Sequence, residues 1–272
     1  MIQLNNVSVQ FANVTALEPT SLFFEQGQFV VLLGASGAGK STLLRCLNLL
    51  IKPDTGSVEV SGLGSLQDKK ALQTHRRQTG MIFQQHQLIG RHTALQNVLM
   101  GRLGYHSTLR SLFPLSGQEQ AICLHSLERV DLLHKALSRA DQLSGGQQQR
   151  VGIARALAQQ PHLMLADEPV ASLDPATADR ILALLHRICK EDGISAVVSL
   201  HQVELAKRYA DRIVGLAQGR VVFDGPPAAL TPAHVTALYK QEAAAPVRPV
   251  TRPRKVRFVS RNLVTNLATI EE

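Results

Sequence analysis

Eight consecutive residues, Gly34-Ala35-Ser36-Gly37-Ala38-Gly39-Lys40-Ser41, fit the pattern GxxxxGK[ST]. Each residue type suits a phosphate ligand. Glycines let backbone N–H groups turn inward and form a nest for phosphate oxygens. The segment KSTLLRCLNLL reads as a helix opening directly after the loop, and its positive end faces the same anion. Lys40 offers a point charge to β- and γ-phosphates, and Ser41 offers a hydroxyl to Mg²⁺, with Thr42 beside it. A glycine-rich loop without a ligand is the blander reading. The apolar run QFVVLLG in front and the helix behind argue against it.

A second stretch, Leu163-Met164-Leu165-Ala166-Asp167-Glu168, is an apolar strand ending in two acids. Alone, it could be a strand end with two solvated carboxylates. Beside a phosphate loop it has a sharper meaning. A buried strand delivers its last residues to the carboxyl edge of a sheet, where nucleotides bind. Asp167 there would hold Mg²⁺ through water or Ser41. Side chains alternate in direction along a strand, so Glu168 points elsewhere and can act as general base on an attacking water. His201 also follows an apolar run, SAVVSL, which places it at the same edge within reach of a γ-phosphate. The other nine histidines, among them His75, His86 and His134, have no such placement and are expected at the surface.

The elements needed to position these groups are legible in outline. IQLNNVSVQF alternates like a half-buried strand, and QFVVLLG reads as a fully buried one. The helix KSTLLRCLNLL is expected to stop near Pro53 and Gly56. EVSG and GMIFQQ suggest further strands. From about Thr93 to Gln160 the pattern is helical, in SLERVDLL and QQQRVGIARALAQQ above all. HLMLADEP and GISAVVSLH read as strands and ATADRILALLHRICKE as an amphipathic helix. RIVGLAQGRVVFDG reads as a hairpin turning at Gln218-Gly219. Alternating strands and helices give an α/β fold with a parallel sheet covered on both faces, and the helical stretch reads as a separate lobe.

Composition sets outer limits. The 272 residues suffice for one large domain, or one domain and a tail, and a hydrophobic content of 44% excludes wholesale disorder. No apolar run approaches the roughly 18 residues that cross a bilayer. MIQLNNVSVQ lacks a positive n-region and an apolar h-region, so no secretory signal is expected. A link to a membrane therefore goes through a partner. Cys46, Cys123 and Cys189 are scattered and form no CxxC pair, which points to reduced thiols. The net charge of +8 suits nucleic acid or an anionic lipid surface. After about Gln241 the chain turns rich in Pro and Arg. Residues 241–272, with Arg248, Arg252, Arg254, Lys255, Arg257 and Arg261, read as a basic linker or tail.

Leu143-Ser144-Gly145-Gly146-Gln147, followed by QQRVGIARALA, closely resembles the signature motif of ABC transporter ATPases. The order phosphate loop, Gln84, signature, carboxylate strand, Ser172-Leu173-Asp174, His201 matches that family across residues 1–240. The resemblance implies a P-loop NTPase (RecA-like) core, an antiparallel β part and an inserted helical subdomain at about 93–160. It implies ATP and Mg²⁺ as cofactors. Phe11 matches the aromatic that stacks on adenine. Gln84 matches the glutamine that touches Mg²⁺ or the lytic water. Ser144, Gly145, Gly146 and Gln147 match the segment that closes on the γ-phosphate held by a second copy, and Asp174 matches the loop that crosses between copies. The implied partners are that second copy, two membrane permease subunits and, indirectly, a periplasmic phosphonate-binding protein, and the implied place of this chain is the cytoplasmic face of the bacterial inner membrane, bound peripherally.

The stretches GRLGYHSTLRSLFP, LADEPVASLDP and DGISAVVSLHQVELAKRYADRIVGL are similar to the ATP-binding subunits of bacterial phosphonate importers. Phosphite or phosphate are alternative cargoes, and an exporter or lipoprotein-releasing system is an alternative direction. An ABC ATPase acting on DNA or ribosomes is the remaining rival. Such proteins carry two ATPase units or a long coiled-coil insertion. Here about a hundred residues separate Lys40 from Ser144 without sustained heptads, so no nucleic-acid partner is expected.

Overall fold

The computed structural model describes residues 1–12, 14–84, 87–107 and 114–240. The basic stretch 241–272, His86 and positions 108–113 lie outside the described residues.

Two sheets organise the described residues. One is four-stranded and antiparallel, in the order β2-β1-β4-β5, from β1 (Ile2–Phe11), β2 (Val14–Phe24), β4 (Thr55–Val60) and β5 (Gly64–Ser65). The other is six-stranded, in the order β10-β9-β3-β8-β7-β6. Its members are β3 (Phe29–Leu33), β6 (Thr79–Ile82), β7 (Leu163–Ala166), β8 (Ser195–Leu200), β9 (Arg212–Ala217) and β10 (Arg220–Gly225). All its neighbours pair in parallel except the β9–β10 hairpin. That hairpin turns at Gln218-Gly219 with φ of 50° and 74°, the pair of positive values a tight primed turn requires.

β3 shows why the large sheet is covered on both faces. All five of its residues are buried. Phe29, Val31 and Leu33 join a core with α5 (Gly145–Leu157) and α6 (Pro175–Glu191), while Val30 and Leu32 join a second core with α1 (Lys40–Leu47) and the antiparallel sheet. A period of two on one strand thus ties both layers to one frame.

The helical lobe contains α3 (Ala94–Leu99), a 3₁₀ turn (Met100–Tyr105), α4 (Gly117–Arg129) and α5. Thr93/Gln96, Ser116/Glu119 and Ser144/Gln147 form reciprocal capping boxes at the starts of α3, α4 and α5. Each satisfies two otherwise orphaned backbone donors, which fixes where each helix begins.

Some sequence expectations shift. The helix after the phosphate loop ends at Leu47 rather than near Pro53, because Leu49 takes φ 44° and the next amides bond back to Cys46 and Arg45 carbonyls. α4 stops at Arg129, so the apolar VDLL lies beyond it in a turn with Asp131 at φ 57°. His75, expected at the surface, is buried on α2 (Lys69–Arg77), and its Nε2 lies 2.9 Å from the Leu47 carbonyl. Burial lowers its pKa below the ordinary imidazole value. The three cysteines are free and buried, and burial pushes their thiols up to about 12 (Cys46), 11 (Cys123) and 12 (Cys189). They are packing residues rather than reactive ones. No helix among the described residues is long and apolar enough to cross a membrane.

Candidate active site

The carboxyl ends of β3, β8, β7 and β6 converge on one edge, because these strands are parallel neighbours in the sheet. β3 runs into the phosphate loop, β7 into Asp167-Glu168 and β8 into His201. The catalytic candidates thus come from three adjacent strands.

The loop is held by its surroundings. Gly34 sits at φ 153°, and a Cβ there would lie 2.2 Å from the Leu216 carbonyl oxygen, so only glycine fits. Gly39, at φ 102°, also passes close to Ala16, whose carbonyl oxygen would lie 2.6 Å from a Cβ. Gly219 donates to the Ala38 carbonyl at 3.0 Å, fastening the loop to the β9–β10 turn.

Lys40 is buried, and its Nζ donates to the Gly34 and Ala35 carbonyls at 2.8 and 2.9 Å. The same ammonium lies 3.2 Å from His201 Nδ1 and 3.8 Å from Glu168 Oε1. His201 Nδ1 lies equally near the Gly34 carbonyl at 3.2 Å, and its Nε2 contacts Glu168 Oε1 at 2.5 Å. Lys40, His201 and Glu168 are therefore one connected group. Glu168 itself has φ 49°, an unusual left-handed conformation for a non-glycine residue that turns its side chain away from that of Asp167.

Asp167 is buried and fully engaged. Its Oδ1 accepts from Ser41 Oγ at 2.7 Å and Ser199 Oγ at 3.1 Å, and its Oδ2 accepts from Arg45 at 3.2 Å. A buried carboxylate requires such partners. Sequence reading missed Ser199 and Arg45. A serine inside the apolar run SAVVSL was the available signal, since a buried hydroxyl has to be bonded to something.

Gln84 lies two residues past β6, exposed, and lines a cleft with Gln148 and Ser172. It makes no hydrogen bond to either carboxylate among the described residues. Phe11 ends β1 and is 51% exposed. Ser144 is the N-cap of α5: its Oγ accepts from the Gln147 amide, and its own N–H donates to Gln147 Oε1 at 3.0 Å. Behind this tip, a Cβ at Gly146 would come 2.9 Å from Thr177 Cγ2, and one at Gly145 would come 3.6 Å from Leu173. Asp174 caps α6 by accepting from the Thr177 amide at 3.0 Å, and bonding to Thr177 holds its carboxyl below the usual range. Thr177 thus packs behind the α5 tip and anchors the α6 cap.

A glycine-rich loop opening a helix, beside a strand that ends in two differently directed carboxylates, defines a P-loop nucleoside triphosphatase. The ABC transporter family matches residues 17–171. The phosphonates import ATP-binding protein PhnC 3 of Nostoc sp. (strain PCC 7120) is 62% identical over 240 residues, 88% of this chain and 92% of the relative. The phosphite import ATP-binding protein PxtA of Stutzerimonas stutzeri is 60% identical over 255 residues, 92% of each. Among solved structures, the dimeric post-hydrolysis state of the ATP-binding cassette MJ0796, bound to ADP and Pi, aligns with TM-score 0.72 and 36% identity. It covers 84% of this chain and 99% of that one. The chain belongs to the ABC transporter family, as one of its ATP-hydrolysing subunits.

Proposed function

We propose that this chain hydrolyses ATP to drive import of phosphonates, acting as a pair of copies beneath two membrane permease subunits at the cytoplasmic face of the inner membrane. The observation that carries the ATPase reading is the Lys40–His201–Glu168 group set beside Asp167 and Ser41 at one sheet edge. The phosphonate cargo rests on the relatives, and a periplasmic phosphonate-binding protein is the implied donor of that cargo.

The residues fit a nucleotide and Mg²⁺. Ser41 Oγ and Asp167 Oδ1 present two hard oxygens 2.7 Å apart. Mg²⁺ favours such donors and takes its remaining ligands from water and phosphates. When bound, the ion neutralises charge on the β- and γ-phosphates. Lys40 exchanges the Gly34 and Ala35 carbonyls for phosphate oxygens. Glu168 then orients the attacking water and accepts its proton, with His201 holding the carboxylate in place. Phe11 is free to stack on adenine, and Gln84 sits where it can approach the water from the lobe side. Ser144, Gly145, Gly146 and Gln147 present an exposed helix tip to a second copy's γ-phosphate. Asp174 fixes the turn beside that tip.

A cleft of about 660 Å³ between α2 and the 3₁₀ turn suits the permease contact. Lys69, Arg76 and Arg77 line it together with the exposed Met100 and Tyr105. Arg76 and Arg77 bond to carbonyls of residues 48, 49 and 104, which leaves their charge to meet an acidic and apolar segment.

Uptake of labelled phosphonate by cells with and without this chain tests the reading, and uptake should vanish with the chain. Loss of phosphite uptake alone would move the cargo to the second reading, which the phosphite relative supports at almost equal identity. Unchanged uptake of both would refute import of either.

A further inference from the structure

We infer that Ser199 is a positioning residue for hydrolysis, whose one hydroxyl sets the metal-site carboxylate and the general base relative to each other. The inference rests on the ATPase reading above and names a residue which that reading does not need.

Ser199 is the penultimate residue of β8 and is fully buried. Its strand neighbours Val198 and Leu200 are buried apolar residues. A hydroxyl in such surroundings is destabilising unless it is bonded. Valine or alanine would suit the packing as well, so the hydroxyl has to be explained by what it touches.

It touches both acids. The Glu168 backbone N–H donates to Ser199 Oγ at 2.8 Å. Ser199 Oγ in turn lies 3.1 Å from Asp167 Oδ1 and 3.5 Å from the Ala166 carbonyl. It has one proton to give, and the nearer, charged oxygen is the better acceptor. The hydroxyl therefore accepts from the backbone of one acid and donates to the side chain of the other.

This arrangement does two things. At Asp167 it holds Oδ1 together with Ser41, so the oxygen that faces the phosphate loop keeps one orientation. At Glu168 it pins the amide of a residue whose φ of 49° is intrinsically unfavourable. Without that bond the turn can relax toward ordinary backbone angles, which would swing the Glu168 side chain off the water. Both carboxylates follow strand β7, but the group that fixes their spacing comes from β8. Ser199 touches no reacting atom and acts through its two neighbours.

The test compares Ser199→Val with Ser199→Thr in the full chain. The two side chains share a shape, and only threonine keeps a hydroxyl. Three quantities are read: steady-state ATP hydrolysis, binding of a non-hydrolysable ATP analogue by calorimetry across a Mg²⁺ titration, and thermal unfolding. Ser199→Val should lower kcat at least about 10-fold and raise the Mg²⁺ needed for half-maximal analogue binding several-fold, as loss of an outer-shell partner does. Ser199→Thr should restore both toward wild type. Ser199→Val behaving like wild type in kcat and Mg²⁺ requirement overturns the inference. So does equal impairment of Val and Thr, because bulk rather than the hydroxyl would then be at fault. Wild type is measured first: absence of ATP hydrolysis there would count against the ATPase reading itself, which separates the two failures.

Discussion

The phosphate-loop edge and the tip of α5 are built in opposite ways. At the edge, Lys40, Asp167 and Ser199 are buried, and each is bonded to groups from other elements: Lys40 to His201 and the loop carbonyls, Asp167 to Ser41, Arg45 and Ser199. At the tip, Ser144 is exposed and bonds to Gln147 of its own helix. The first is a set of buried groups held in place by one another. The second is a locally satisfied helix end, kept in place by packing on α6 and complete only when something outside meets it. Catalysis should therefore be sensitive to single atoms at the edge, and the tip should matter for turnover without mattering for binding to one copy.

The sharpest way to break this contrast is Glu168→Gln. It removes the proposed base while leaving size and most contacts. Turnover should fall roughly 100- to 10,000-fold, the usual worth of a positioned general base, with ATP binding retained and ATP-bound pairs accumulating. Near-normal turnover in that variant would take the base role away from Glu168. Next comes Lys40→Ala. It deletes the cation facing the phosphates and leaves Glu168 short of a charge partner at 3.8 Å. Nucleotide affinity measured by calorimetry should drop by at least about tenfold, since a buried charge-assisted contact to phosphate exceeds 1.4 kcal/mol. Unchanged affinity would mean that the loop amides alone hold the nucleotide.

The same contrast explains what the sequence revealed. Groups that work through local spacing were readable: the GxxxxGKS loop, the two acids ending an apolar strand, the LSGGQ signature and the hairpin turning at Gln218-Gly219. Groups that work through tertiary contact were not. β2 (VTALEPTSLFF) is interrupted by Glu18-Pro19, which reads as a break. Proline is tolerated because β2 is an edge strand of its sheet. α2 buries only Ala71 and His75, so its inward face has no apolar periodicity to find. His75 looked like a surface residue because the Leu47 carbonyl that receives it lies 28 positions away. Ser199 stands out in a linear reading only as a hydroxyl in an apolar run and Arg45 not at all; the β7–β8 pairing brings Ser199 to Asp167, and helix α1 brings Arg45 there.

A milder effect is expected at the α5 tip. In Gly146→Ala the new methyl would lie 2.9 Å from Thr177 Cγ2, closer than carbon atoms tolerate. ATP hydrolysis should fall about tenfold or more because the tip is displaced, while ATP binding to a single copy stays within about twofold. Adding Thr177→Ser removes the opposing methyl. Stability should then return. If hydrolysis also returns, the glycine serves only packing; if it stays low, the glycine is needed to let a phosphate approach the backbone.

The smallest effect separates capping from contact at Ser144. Ser144→Ala removes the oxygen that accepts from the Gln147 amide, and the protein should lose about 1 kcal/mol of stability in urea unfolding. Ser144→Asn keeps a side-chain acceptor and should recover that stability. Hydrolysis decides the rest. If the serine hydroxyl serves only as a cap, the asparagine variant turns over ATP like wild type. If it also meets the phosphate held by the second copy, the longer amide obstructs that approach, and turnover stays reduced in a protein of normal stability. A normal rate in Ser144→Asn would leave the Ser144 side chain as a cap alone, and would shift the meeting with the second copy's phosphate onto the glycine backbone of the tip.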